Sequence, residues 1–261
     1  MKQIKGYRLW QIIYPVGIYY VVSSVVFLFA GMLFGNANET YMLRQTLCAL
    51  VTIPFLYFSF YRKDRQLEKI VMDGKEKDTA TDVVKYIIYA VVGTGTLGIA
   101  CNNLIAMTPL MQVSSGYQET NQAFFGGGMV FEIIGSGLLI PIAEEMLFRG
   151  IVFKRLRIWA GVRVAIAGSA LFFALIHVNL VQFLYAGILG IFLALLLEKS
   201  GKLYIPVLGH ITANLIAIVR AETGCLSFAY QITPAGIGVT AGCLLVAGCI
   251  VWVLVKDKCK Q

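Results

Sequence analysis

Two adjacent glutamates, an arginine four residues further on and both histidines of the chain stand in apolar surroundings. Glu144, Glu145 and Arg149 lie in GLLIPIAEEMLFRG (137–150), His177 ends FALIH (173–177), and His210 opens HITAN (210–214). Carboxylates and imidazoles can take a proton from water and hand it on. Imidazole and amide N–H groups can hold a developing oxyanion. A charge near the centre of a bilayer costs at least about 2.5–3.5 kcal/mol, so ionisable groups placed there are functional candidates.

Helical spacing separates their roles. Neighbours on a helix point about 100° apart, so Glu144 and Glu145 cannot both face one site squarely. Glu145 and Arg149 are i,i+4 with the acid first, the favourable order for an ion pair. That leaves Glu144 to face a cavity. Phe173 and His177 are i,i+4, so the ring can wall and orient the imidazole. His210 and Asn214 are i,i+4 as well, which puts two hydrogen-bonding groups on one helix face.

The elements that must carry these residues follow from composition. The chain has 261 residues, 58% of them hydrophobic and 14% charged, with a mean hydropathy of +0.76. Soluble domains carry about 25% charged residues. The expected fold is therefore all-α, a polytopic membrane bundle in a single domain over 1–261. About eight transmembrane helices are expected, near 10–34, 43–61, 86–107, 129–153, 164–179, 181–197, 204–219 and 233–255, each approaching the ~20 residues that span a bilayer. The runs are continuous rather than alternating, which excludes a β-barrel. Glu144, His177 and His210 then lie about 15, 21 and 12 Å from the nearest basic end at 1.5 Å per residue, and helix tilt can bring them to one layer.

Charge orients the bundle. With both termini cytoplasmic, segments 1–9, 62–85, 149–163, 198–203 and 256–261 hold 20 of the 22 Lys and Arg residues, and only Arg44 and Arg220 fall outside. This obeys the positive-inside rule. The net charge of +8 is thus a fringe suited to anionic headgroups rather than a nucleic-acid surface, and no nucleic-acid partner is expected. The stretch after Lys2, Lys5 and Arg8 is too long for a cleaved signal peptide. The mixed-charge segment 62–85 reads as a solvated helix and loop, and 113–128 as a flexible or re-entrant outer loop. The six cysteines (Cys48, Cys101, Cys225, Cys243, Cys249, Cys259) show no CxxC pairing and read as packing residues. Asn102, Asn103 and Asn179 read as interhelical polar contacts, and Glu132 as interfacial or lining an outer cavity. All five aspartates sit in the basic segments, so no intramembrane aspartyl pair exists. Ser169 is two turns from His177 on one helix, so that pair cannot touch.

EEMLFR (144–149), FALIH and HITAN match the EExxxR, FxxxH and HxxxN patterns of the CAAX-protease and bacteriocin-processing family (CPBP, or Abi), in the family's order and each on its own span. The resemblance covers about 129–220. It implies an intramembrane endopeptidase of a bacterial cytoplasmic membrane, its active site open to the cytoplasm. The substrate would be a membrane-embedded or lipidated peptide or protein. Glu144 would activate a water with the help of His177. His210 and Asn214 would bind the oxyanion or a metal, and Glu145, Arg149 and Phe173 would support them.

Glu144, His177 and His210 could form a zinc site with an open position. The chain lacks HExxH, however, and a glutamate-activated water needs no metal, so no cofactor is certain and a divalent metal such as zinc stays open. Two other classes compete with the protease: a non-catalytic scaffold or bacteriocin self-immunity protein of the same fold, and a proton-coupled transporter. The absence of an internal repeat weighs against the transporter.

Overall fold

The computed structural model describes residues 2–71, 80–177 and 179–257. The expected loop around Asp73 and Asp78, and Cys259, lie outside the described residues. Nine helices dominate: α1 (Lys2–Phe34), α2 (38–71), α3 (80–106), α4 (Ser115–Phe124), α5 (Met129–Ala160), α6 (Val162–Leu175), α7 (Leu180–Ser200), α8 (Tyr204–Thr223) and α9 (Pro234–Lys256). There is no strand among the described residues.

The expected all-α polytopic bundle is what the chain forms, with two differences in its count. Among the described residues six helices are long and apolar enough to cross a bilayer alone: α1, α2, α3, α7, α8 and α9. α4 and α5 pass that test only together, as a pair bent by 106°. The outer loop is therefore helical over 115–124 and turns at Gly126–Gly128, where Gly128 adopts φ +87°. α6 has only 14 residues, about 21 Å of helix, short of a full span. Lipid-facing positions are apolar, among them Leu28, Phe29, Met32 and Leu245. The protein is thus an integral, multi-pass membrane protein.

Local chemistry sets the helix ends. Asn179 caps α7 by accepting a hydrogen bond from the Gln182 amide at 2.9 Å, so it is an N-cap rather than an interhelical contact. Thr233 caps α9 by accepting from the Gly236 amide, with Pro234 at the first turn. Gly201 and Gly224 close α7 and α8 in the left-handed conformation, which glycine adopts without penalty.

α5 lies at the centre, packed on α2, α6, α7 and α8. Its course is uneven. Pro141 has no amide hydrogen to give to the preceding turn, and the helix is widened over Ile133–Leu139 and again over Phe148–Phe153. Widened turns of this kind recur at functional sites. Two glycines let the neighbours approach. A Cβ on Gly135 would collide with Thr46 and Met42 of α2, and one on Gly137 would sit 2.8 Å from Leu215 of α8. Ion pairs tie the helices at the basic end: Arg155–Asp64 between α5 and α2, Arg157–Glu198 between α5 and α7, and Lys85–Asp257 between α3 and the end of α9.

Candidate active site

Three elements bring their motifs together. α5 supplies Glu144, Glu145 and Arg149. The end of α6 supplies Phe173 and His177, and α8 supplies His210 and Asn214. Burial divides the two glutamates: the Glu145 and Arg149 side chains are 0% exposed, while Glu144 keeps 14% of its surface. The expected i,i+4 ion pair forms at 3.0 Å. Arg149 has two further partners. Its Nη2 donates to the Gly190 carbonyl of α7 at 3.0 Å, and its guanidinium lies 4.6 Å from the Phe173 ring centroid. The hydrogen bond leaves no gap at Gly190, where a Cβ would meet Arg149 Nη2 and Ala170 at 3.2 Å.

Glu145 has a second partner that spacing within α5 does not reveal. Its Oε1 also lies 3.0 Å from His210 Nδ1. The carboxylate accepts from Nδ1–H, which turns the other nitrogen, Nε2, towards Glu144 Oε2 at 3.8 Å. The acid at 145 therefore joins a guanidinium on its own helix to an imidazole on α8. This carboxylate–imidazole arrangement fixes which nitrogen faces the site.

His177 departs from its expected place inside a span. α6 ends at Leu175, and the His177 amide bonds back to Ala174 at 3.0 Å in a tightened last turn. The chain must reverse here to reach the Asn179 cap of α7, which ends the helix four residues before the expected end of the span. The i,i+4 relation with Phe173 survives: the rings are 5.0 Å apart, and Nδ1 lies 2.8 Å from the Phe173 carbonyl. A carbonyl can only accept, so Nδ1 carries the hydrogen and Nε2 of the neutral ring is an acceptor. Phe173 also meets His210 edge-on at 5.5 Å and Phe148 at 5.4 Å. One ring thus walls both histidines and covers the arginine.

Asn214 lies one turn beyond His210, but its Nδ2 donates to the Ser136 carbonyl of α5 at 2.8 Å, eight residues before Glu144. Tyr19 and Tyr20 of α1 are within electrostatic reach of Glu144, a neighbourhood no motif announced. Ser169 turns its hydroxyl towards the Ile166 carbonyl. Glu132 is fully buried rather than interfacial, and neither of its oxygens has a hydrogen-bond partner among the described residues.

The possible metal set fares less well. Among the described residues no three His, Cys, Asp or Glu side chains are arranged to hold an ion. Glu144, His177 and His210 as placed do not fit a three-ligand site, and no step is drawn through a metal.

The uncharacterized protein YpbD of Bacillus subtilis (strain 168) is 30% identical to this chain over 94 residues, 34% of this chain and 46% of YpbD, so the chain spans just under half of that relative. No solved structure matches. Residues 126–216 match the family model described as type II CAAX prenyl endopeptidase, Rce1-like. The segment that carries Glu144, Glu145, Arg149, Phe173, His177, His210 and Asn214 is similar to that CAAX-endopeptidase family, and the match covers about a third of the chain.

Proposed function

We propose that the protein is an intramembrane endopeptidase that hydrolyses a peptide bond of a membrane-embedded or lipidated peptide or protein. The observation that carries the reading is the contrast between the paired acids. Glu145 is consumed by Arg149 and His210, whereas Glu144 is the more accessible and faces the free nitrogen of His210.

In the proposed reaction a water lies between Glu144 and the acceptor nitrogen of His177. Glu144 takes its proton as the water oxygen bonds to the carbonyl carbon. The oxyanion is met by an N–H donor, for which the His210 ring is the candidate. The proton then passes to the leaving nitrogen as the C–N bond breaks. Glu145 keeps His210 oriented throughout. Asn214, held on the Ser136 carbonyl, positions α8 against α5. The distribution of Lys and Arg puts the basic end in the cytoplasm with both termini, and the substrate would be cut on that side.

Glu144→Ala and His177→Ala tested against the membrane peptidome would decide the matter. Peptides whose release depends on the protein should vanish with either variant while each still purifies as a folded species. Full activity in either would overturn the reading.

A further inference from the structure

A groove of about 870 Å³ opens at the basic end of the bundle, between α2 and the start of α8. Its walls grade in one direction. Arg62 and Arg65 of α2 and Lys202, just before α8, line it towards the basic end, and Tyr57 of α2, Ile142 of α5 and Val207 of α8 line it deeper in the bundle. Among the described residues no acidic side chain lines it. The acid nearest in sequence on α2, Asp64, is turned away to Arg155 at 2.9 Å. Two of the lining tyrosines are exposed, Tyr57 at 41% and, beside Lys202, Tyr204 at 49%. Tyrosine beside basic residues is what a side chain ring and a cation do at headgroup depth. The groove is therefore cationic at its polar end and apolar at its inner end.

We propose that this groove holds an anionic phospholipid. Its phosphate would lie among Arg62, Arg65 and Lys202, and its acyl chain would run over Tyr57, Ile142 and Val207. Basic pockets between membrane helices bind anionic headgroups in this way. The apolar floor argues for a lipid over a free phosphate, which would leave that floor unfilled. The exposed tyrosines beside the cations, an arrangement of headgroup depth, argue for a lipid over an acidic peptide arriving from water. Val207 is one turn before His210, so an occupant would also brace the start of the helix that carries the site. The proposal does not depend on the catalytic reading.

The full chain would be reconstituted in vesicles of phosphatidylcholine with a minor share of phosphatidylglycerol, and the lipid retained on the purified protein measured by native mass spectrometry. Phosphatidylglycerol should be retained in preference to phosphatidylcholine. Each cation removed should cost about fivefold in that preference, from about 1 kcal/mol per basic residue at an anionic surface. Arg65→Gln, Lys202→Gln and the triple variant with Arg62→Gln should follow this order. Lys63→Gln, on the same helix but outside the groove, should not change it. Thermal melts in phosphatidylcholine alone would show that each variant is folded. Equal retention by the triple variant and the unaltered chain would overturn the proposal. So would displacement of the lipid by inorganic phosphate, or by a glutamate-rich peptide, at matched charge.

Discussion

Glu145 Oε1 stands 3.0 Å from His210 Nδ1 while the same oxygen is 3.0 Å from Arg149 Nη1. One buried carboxylate thus holds a helix-internal cation and an imidazole 65 residues away. Removing it strands both. Glu145→Ala is expected to destabilise the protein by about 3–5 kcal/mol, the cost of a buried charge left alone. The double variant Glu145→Ala/Arg149→Met should recover part of that loss, because the stranded cation goes with the acid. Melts in detergent micelles of the two single variants and the double variant would measure it. Purely additive losses would show that the pair is not coupled.

Glu144 should behave in the opposite way. Its carboxylate is the less buried of the two, and the ion pair with Arg149 does not involve it. Glu144→Gln keeps its shape and removes the base. Turnover should fall by about 10²–10⁴, the usual worth of a positioned acid–base group, with stability within about 0.5 kcal/mol of the parent. Single-turnover cleavage of a membrane peptide, run beside a melt, separates the two effects. A large loss of stability without a selective loss of turnover would move Glu144 into the structural set.

Much of this site was legible in the sequence because it obeys local helical geometry. The Glu145–Arg149 pair and the Phe173–His177 contact both follow from i,i+4 spacing. What was not legible depends on tertiary packing. Nothing within EEMLFR says that Glu145 also reaches His210, since that contact requires α8 to close on α5 through Gly137. The Gly190 carbonyl was invisible as an acceptor because every residue has a carbonyl; a small residue facing a buried arginine was the available signal. The fold was read well where apolar runs are long. It was read less well at α6, whose apolar run continues past the helix end at Leu175, where Ile176 already belongs to a turn. The polar composition of 113–128 hid a helix in the same way, since its packing onto α2, not its hydrophobicity, gives it a place.

Gly190 gives a direct test of that hidden acceptor. Arg149 Nη2 donates to its carbonyl, and an added Cβ would press on the same nitrogen and on Ala170 at 3.2 Å. The neighbours must shift by a few tenths of an ångström, and overpacking of this sort costs about 1–3 kcal/mol. Gly190→Ala should therefore lower the melting temperature and, by displacing Arg149 from Glu145, lower activity as well. Gly187→Ala is the control: on the same helix, its Cβ would make an ordinary 3.6 Å contact with Ala174. Equal melts and activities for the two variants would sink the argument.

A second buried cation tests whether stability and activity can be separated. Arg220, 3% exposed, donates from Nη2 to Asn103 Oδ1 at 2.7 Å and lies 4.2 Å over the Tyr230 ring. Asn103 in turn donates to Thr240 Oγ1 at 3.0 Å, so α8, α3 and α9 are joined by one polar chain. Polar contacts between membrane helices average about 0.6 kcal/mol, but Asn103 supplies a hydrogen-bond acceptor to a buried guanidinium whose Nε and Nη1 have no partner among the described residues. Asn103→Ala should thus cost several times more than Thr240→Val, which removes only the outer link. Arg220→Met replaces the cation with an apolar chain of similar length and should be milder than Asn103→Ala, because no charge is left buried. Arg220 lies ten residues beyond His210, about 15 Å along α8, so turnover per folded molecule should stay at the parent level in all three variants. Melting temperature and cleavage rate measured on the same preparations give the order. If Arg220→Met were the most damaging of the three, or if it lowered turnover while the melt held, the chain would have a role in the site rather than in holding α8 to α3 and α9.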